Sequence, residues 1–312
     1  MTERFDQRDT FHAAELYYRN GLSQAEVATR MGVSRPTVSR MLSQARQTGL
    51  VRIDLVPPSA PAGVAAQVER ALSLQKVYVV AGEAKSGARL AAELDRAITD
   101  LGLTRGDVLL VSSGRAVSEA IPEMRVLVPG VSVVPTLGGL YEDEPWYRTN
   151  EIATSLAAVL SGRALPLASP AIPGERLLAT LADEPGIERT REAWSVARAA
   201  ILAIGAAIQS RESVPAHLPV GDPGLDRAVG DITSRFFDSR GRPLHYAGDD
   251  RLQAISLEML RDVPGSVGVG MGTVKVEAIR AAVRGGYITR LVTDEPTARA
   301  LIETRQPGEA HE

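Results

Sequence analysis

Over the first fifty positions apolar residues recur with the spacing of three short helices. Phe11, Ala14, Leu16, Tyr17 and Tyr18 mark the first, and Asn20-Gly21 ends it. Ser23 opens a second with Glu26 three residues on, the spacing at which each side chain caps the other's backbone amide. Val27, Ala28 and Met31 form its apolar face before Gly32 breaks it. Ser34 can cap a third helix, with Pro36 tolerated in the first turn and Val38, Met41, Leu42 and Ala45 on one stripe. At about 100° per residue, Pro36, Arg40, Ser43, Gln44 and Gln47 point the other way. Gly49 ends this helix, and VRIDLV follows as a short extended segment.

Pro57, Pro58 and Pro61 form a stiff connector and place a boundary there. Residues 1–56 are expected as one domain, 57–61 as a Pro-rich linker and 62–312 as a second domain. Beyond the linker Val64, Val68 and Leu72 predict a short helix, and apolar runs then alternate with helical stretches. Strands are expected at 76–81, 107–113, 132–137, 199–206, 266–271 and 288–294, and helices at 88–101, 150–160 and 273–284, with Pro296 opening a last one. Continuous apolar strands separated by helices predict an α/β domain with a doubly wound, mainly parallel sheet covered on both faces. A small all-α helix-turn-helix domain precedes it.

The 312 residues are 44% apolar and 23% charged, a globular composition. The absence of Cys excludes disulfide scaffolds, cysteine nucleophiles and thiolate metal sites. No apolar run approaches a membrane span, and MTERFDQRDTF lacks the apolar core of a signal peptide. A cytoplasmic chain without a membrane partner is therefore expected. The net charge is only −3, yet residues 1–53 carry +3 and the remainder −6, and between Glu26 and Asp54 stand five Arg and no carboxylate.

A solvated basic face is the ordinary meaning of such a run. Here it coincides with the polar face of the third helix, and two short helices joined by a Gly-containing turn make a helix-turn-helix. Arg pairs bidentately with guanine, Gln with adenine, and Ser or Thr with either kind of base edge. Thr37, Ser39, Arg40 and Gln44 are thus the expected readers of double-stranded operator DNA, with Arg30, Arg35, Arg46 and Arg52 on phosphates. A three-helix cap that binds nothing is the alternative.

In doubly wound sheets ligands sit beyond the carboxyl ends of strands, where Gly-rich turns enter helices. Three turns qualify: Ser112-Ser113-Gly114-Arg115-Ala116, Gly138-Gly139 after Thr136, and Met271-Gly272-Thr273 with Lys275 close behind. None is a Walker loop or a dinucleotide fingerprint, and glycine at a strand end is ordinarily plain turn chemistry. Lysine usage singles out the third turn: the chain has three Lys (76, 85 and 275) against 32 Arg. A Lys is a compact point charge suited to a phosphate.

The stretch LYYRNGLSQAEVATRMGVSRPTVSRMLSQARQTGLVRIDL closely resembles the DNA-binding head of the SorC/DeoR-like sugar-binding transcriptional regulators of bacteria. VVPTLGG (133–139), NEIATSLA (150–157), GDITSRFFDSRGRPL (230–244) and residues 251–303 resemble that family's effector domain. The resemblance implies a fold like that of sugar-phosphate isomerases without their activity. Such a domain binds a phosphorylated sugar or related polyol and changes operator affinity, in control of a carbohydrate catabolic operon, within a homodimer or homotetramer. It implies Lys275, beside Gly272, as the effector-contacting lysine and Asp231 as the partner of ligand hydroxyls. Ser112, Ser113, Gly114 and Arg115 resemble its phosphate-cradling loop, and Thr136, Gly138 and Gly139 the opposite wall. The chain departs from the family's G-W-G-x-T loop, since Ser113-Gly114-Arg115-Ala116 lacks both the Trp and the Thr hydroxyl.

An enzyme reading, a sugar-phosphate isomerase or deaminase carrying the helical head, finds little acid–base machinery. The four His (12, 217, 245 and 311) lack metal-ligand spacing, no G-x-S-x-G elbow is present, and only Asp231 is a candidate base near the Gly turns. Asp143-Glu144 and Asp249-Asp250 read as solvated turns, and Trp146 and Trp194 as core or interface residues. No cofactor, metal or catalytic residue is expected.

Overall fold

The computed structural model describes residues 5–51, 63–140, 142–181, 183–211, 214, 218 and 220–303. The chain divides into two compact units, Met1–Val56 and Pro57–Glu312. Residues 52–56 of the expected extended segment and the linker 57–61 lie outside the described residues.

The first unit holds α1 (Gln7–Ala14), which runs on into a π-helical turn at Glu15–Arg19, then α2 (Gln24–Met31) and α3 (Arg35–Gln47). Helix α1 begins before the expected Phe11 because the Asp6 carboxylate accepts the Arg8 N–H at 2.6 Å and caps it. The other two begin where their caps predict. Ser23 and Glu26 cap each other (2.7 and 3.3 Å), Gly32 takes the left-handed turn at φ 65°, and Ser34 Oγ accepts the Thr37 N–H at 3.3 Å. Leu16, Val27, Val38, Met41, Leu42 and Ala45 are among the side chains buried between the three helices.

The second unit runs α4 (Val64–Leu72), β1 (Lys76–Val80), α5 (Ala91–Asp100), β2 (Val108–Val111), α6 (Arg115–Ala120), β3 (Ser132–Pro135), α7 (Thr149–Leu160), β4 (Arg163–Ala164), α8 (Glu175–Leu181), α9 (Pro185–Ser195) and β5 (Ala199–Ala203). It continues with β6 (Gly205–Ala206), β7 (Gly230–Ile232), β8 (Arg235–Phe237), α10 (Leu257–Arg261), β9 (Gly265–Val269), α11 (Val276–Arg284), β10 (Arg290–Asp294) and α12 (Glu295–Ile302). Seven parallel strands lie in the order β1-β10-β9-β5-β2-β3-β4. Along each strand side chains alternate between two cores. Leu110, Val134 and Leu202 pack with Val68, Trp194, Ile279 and Leu301 on one face. Leu109, Val111, Val133 and Ile201 pack with Leu94, Val117 and Leu156 on the other. Burial on both faces is what makes these strands read as unbroken apolar runs.

From β2 the chain moves outward to β3 and β4, then returns to β5 and proceeds the other way through β9 and β10. The reversal falls between neighbours β2 and β5, and at such a switch point the connections part and leave a crevice at the strands' carboxyl ends. The run 199–206, expected as one strand, breaks at Ile204: β6 leaves the main sheet to join an antiparallel sheet β6-β7-β8. The β7–β8 hairpin turns on Thr233 (φ 54°) and Ser234 (φ 63°). A tight hairpin with positive φ at both turn residues ordinarily uses Asn or Gly, and each non-glycine costs about 1–2 kcal/mol. Neither is present here, so the sequence pattern does not announce this hairpin.

Candidate functional site

The crevice holds a cavity of about 360 Å³. Its walls come from connections far apart in sequence: Ser113–Ala116 after β2, Leu140 and Trp146-Tyr147 after β3, Ser210 and Arg211 after β6, Asp231, Thr233 and Ser234 of the hairpin, and Met271 and Lys275 after β9. Of the residues expected to contact an effector, Ser113, Gly114, Arg115, Asp231 and Lys275 line it.

Ser112, Thr136, Gly138, Gly139 and Gly272 do not, and each has another task. The buried Ser112 hydroxyl donates to the Ser113 carbonyl (3.0 Å) and accepts the Ala203 N–H (2.7 Å), tying the ends of β2 and β5 together. Thr136 is buried behind the wall, its hydroxyl 2.8 Å from that of Thr233, where it braces the left-handed turn. Gly138 and Gly139 donate to the Gln253 and Ser169 carbonyls (2.8 and 2.7 Å), and a side chain on Gly138 would collide with the Ser169 and Pro170 backbone. Leu140, just beyond, is the residue of this stretch that reaches the cavity. Gly272, at φ 91°, turns the chain between Met271 and Lys275.

Arg211 was not singled out by the sequence, yet it organises the site. Its Nε and Nη2 donate to the Ala206 carbonyl (2.9 and 2.7 Å), Nη2 also donates to Asp231 Oδ1 at 2.5 Å, and the guanidinium lies over Phe236, 5.5 Å from the ring centroid. The other Asp231 oxygen accepts the Ser234 N–H at 2.9 Å. Asp231, expected to receive ligand hydroxyls, therefore first holds Arg211 and the hairpin in register. Glycine at 205 permits this, because a Cβ there would run into the Asp231 carboxylate.

Arg115 stacks on Trp146 at 4.3 Å from the ring centroid, and the Gly114 N–H donates to the Trp146 carbonyl at 2.8 Å. Trp146, expected as a core or interface residue, is a cavity wall, and it brings an indole to a loop that has none of its own. Trp194 is a core residue, its indole N–H donating to the Pro135 carbonyl at 2.9 Å. Burial pushes the Lys275 ammonium down to about 8, against the pull of Asp231 and with the repulsion of Arg211 and Arg115. Among the described lining residues Arg115, Arg211 and Lys275 stand together with Asp231, and guanidinium and ammonium groups suit an anionic ligand. Among the described residues no group of His, Asp and Glu could hold a metal, and no helix is long and apolar enough to cross a membrane.

On the first unit, Arg30, Arg35, Ser39, Arg40 and Arg46 are exposed. Two expected base readers are engaged within the unit. The Thr37 hydroxyl meets that of Ser34 at 2.8 Å inside the helix cap. Gln44 accepts the Phe5 N–H (3.0 Å), donates to the Phe5 carbonyl (2.8 Å) and reaches the Thr10 hydroxyl (3.4 Å). Helical periodicity places Gln44 away from the core stripe, but the segment leading into α1 covers that flank, so Gln44 is a tether. Arg52 lies outside the described residues.

A helix-turn-helix head with an exposed basic helix, carried on a doubly wound domain with a cationic crevice, is the build of a ligand-responsive DNA-binding regulator. The Sugar-bind family model, a sugar-binding domain, matches residues 57–303, and a homeodomain-like domain matches residues 8–52. The chain belongs to this family of sugar-binding transcriptional regulators. It is 31% identical to the transcriptional regulator YjhU of Escherichia coli over 97% of both chains, and 29% identical to the transcriptional regulator LsrR of Escherichia coli over 96% of each. The full-length sorbitol operon regulator SorC from Klebsiella pneumoniae superposes with a TM-score of 0.77 at 26% identity, covering 96% of this chain and 100% of that one. Its relatives are regulators of transcription, and the chain is a regulator rather than an isomerase or deaminase.

Proposed function

We propose that residues 1–56 form the operator-binding head, 57–61 the linker and 62–312 the effector domain, and that a phosphorylated sugar or polyol in the crevice sets operator affinity. The observation that carries this is the convergence of Arg115, Arg211 and Lys275 beside Asp231 at the ends of β2, β6 and β9. A phosphate monoester brings about −1.5 to −2 charges near neutral pH, and an Arg fork suits its oxygens. Ser113 and Ser210 line the same cavity and supply hydroxyl partners for the carbon skeleton. On the head, Ser39 and Arg40 read base edges while Arg30, Arg35, Arg46 and Arg52 meet phosphates.

Helix-turn-helix proteins read two half-sites about one helical turn apart, so the working form is a homodimer or homotetramer, in the cytoplasm and on the nucleoid. The genes controlled are those of a carbohydrate catabolic operon. Thermal-shift screening of sugars, polyols and their phosphates tests the effector. A ligand at a hundred times its Kd adds about 2.7 kcal/mol of stability. Phosphorylated compounds are expected to shift the melt and their neutral counterparts not. Equal shifts from neutral polyols would remove the phosphate from this reading. Light scattering of the full chain, with and without DNA, checks the oligomer, and a monomeric mass contradicts it.

A further inference from the structure

We propose that Lys275 captures its effector covalently and reversibly, as an imine with the carbonyl carbon of an open-chain aldose phosphate; this rests on the reading of the crevice as the effector site. Lys275 lines that cavity of about 360 Å³, a volume within the range of small-molecule sites, together with Arg115, Arg211 and Asp231. Arg211 is engaged by Asp231 and the Ala206 carbonyl, and Arg115 lies on Trp146. Lys275 differs: among the described residues its side-chain nitrogen makes no hydrogen bond and no ion pair. Asp231 attracts its charge without touching it, being paired instead with Arg211. The lysine stem runs past the end of β9, where a Cβ on Gly270 would stand 3.8 Å from Lys275 Cδ. The nitrogen is thus carried into the cavity and not spent on a neighbour.

Charge alone does not account for a lysine here. A guanidinium serves a phosphate well, and 32 of the chain's basic residues are Arg, including Arg115 and Arg211 in this cavity. An Arg cannot give up its proton, whereas an amine can. Burial and the nearby Arg211 and Arg115 hold the Lys275 nitrogen at about 8 despite Asp231. About one in ten is therefore neutral at pH 7, against roughly one in three thousand for an ordinary lysine. A lysine desolvated beside other cations is an amine activated toward carbonyls. The neutral nitrogen attacks the carbonyl carbon: a C–N bond forms, the C=O π pair moves to oxygen, and one proton passes from nitrogen to that oxygen. The hydroxyl so formed then leaves as water with the remaining proton of the nitrogen, whose lone pair closes the C=N bond. Asp231 is the carboxylate among the described lining residues that can carry these protons. Hydrolysis reverses the step, and no oxidant or reductant takes part. A polyol phosphate, with no carbonyl, meets Lys275 only as a charge.

The test incubates the full chain with glyceraldehyde 3-phosphate and ribose 5-phosphate, and with glycerol 3-phosphate and ribitol 5-phosphate as matched compounds without a carbonyl. The melting temperature reports binding. Sodium borohydride then fixes any imine as a secondary amine, and peptide mass mapping locates it. Lys76 and Lys85, the other two lysines of the chain, are exposed and serve as internal controls. An aldose phosphate that raises the melting temperature is expected to label Lys275 at least about tenfold more than either control, since far more of it is neutral than of an ordinary lysine. In the wild type that aldose phosphate shifts the melt further than its polyol, and Lys275→Arg, which keeps a charge but cannot form the imine, brings the two shifts level. A melt shifted by aldose phosphates without label on Lys275, equal label on all three lysines, or a melt shifted by the polyol phosphates and not by the aldose phosphates each overturns the proposal. Failure of the underlying reading shows separately, as a melt that none of the four phosphates shifts, and it takes this proposal with it.

Discussion

In the head, the proposed DNA-reading face looks outward from a core of nine buried residues among those described, and α3 supplies both four of those residues and the exposed basic face. In the second unit the candidate site faces inward, onto a cavity in which Arg211 is held by Asp231 and Phe236 and Arg115 by Trp146. The sheet beneath is packed on both faces, and that larger core carries what the site costs: two left-handed non-glycine residues and a lysine driven toward neutrality. Core and exposed basic face therefore share one helix in the head, whereas in the second unit the core and the cavity are built from different segments. Small domains, with little burial to spare, have no room for strain of this kind.

The largest effect expected from this contrast is Leu42→Ala. Leu42 is 2% exposed in the head core, and truncating a buried Leu costs about 2–5 kcal/mol. Operator binding should disappear while the second unit still binds its ligand, read by calorimetry of the full chain. Loss of both activities together would break the contrast. Arg40→Ala is expected to weaken the selected operator by about 1–3 kcal/mol and relax base preference without lowering the head's melting temperature. Gln44→Ala should lower that melting temperature, since the Phe5 amide and carbonyl lose their partner at about 1–3 kcal/mol.

A pH titration sharpens the inward-facing half. Lys275 has a folded-state pKa of about 8 against an ordinary 10.5, so its charge disappears from the cavity as pH rises through 8. Affinity for an anionic ligand should fall about tenfold between pH 7 and 9, because a phosphate monoester is already fully ionised there. A Lys275→Met variant should be flat over that range. Stability moves the opposite way: between pH 8 and 10.5 the unfolded chain holds the Lys275 proton more tightly, so this group's contribution to folding rises with pH. The smallest effect is Arg46→Ala, which should flatten the slope of log affinity against log salt by about 0.9 and weaken all duplexes alike.

The same contrast explains how much was legible beforehand. Helix starts at Ser23 and Ser34 and the parallel strands were readable, because caps and apolar runs are local signals. Ser113, Gly114, Arg115, Asp231 and Lys275 were also readable as cavity residues, lying where Gly-rich turns or a family resemblance placed them. Arg211 was not, since it sits in no motif and acquires its place only when β6 leaves the main sheet to pair with β7. Trp146 reaches Arg115 across a fold contact that no spacing encodes. Gln44 misled because helical periodicity reports the angle around an axis and not what another segment lays against it. Thr136, Gly138 and Gly139 misled in a related way: a turn beside a site can brace its wall without lining it.

The claim that joins the two units is that the cavity's ligand sets operator affinity. It is tested by fluorescence anisotropy of a labelled, selected operator duplex, with and without the phosphorylated compound that gives the largest thermal shift, in wild type and in Lys275→Ala. The wild type should change its operator Kd by about 5- to 150-fold on ligand saturation, the range of ordinary coupling energies. Lys275→Ala should bind the duplex like the unliganded wild type and show no response at the same ligand concentration. A wild-type Kd that stays constant under saturating ligand, or a Lys275→Ala variant that responds in full, would contradict the account.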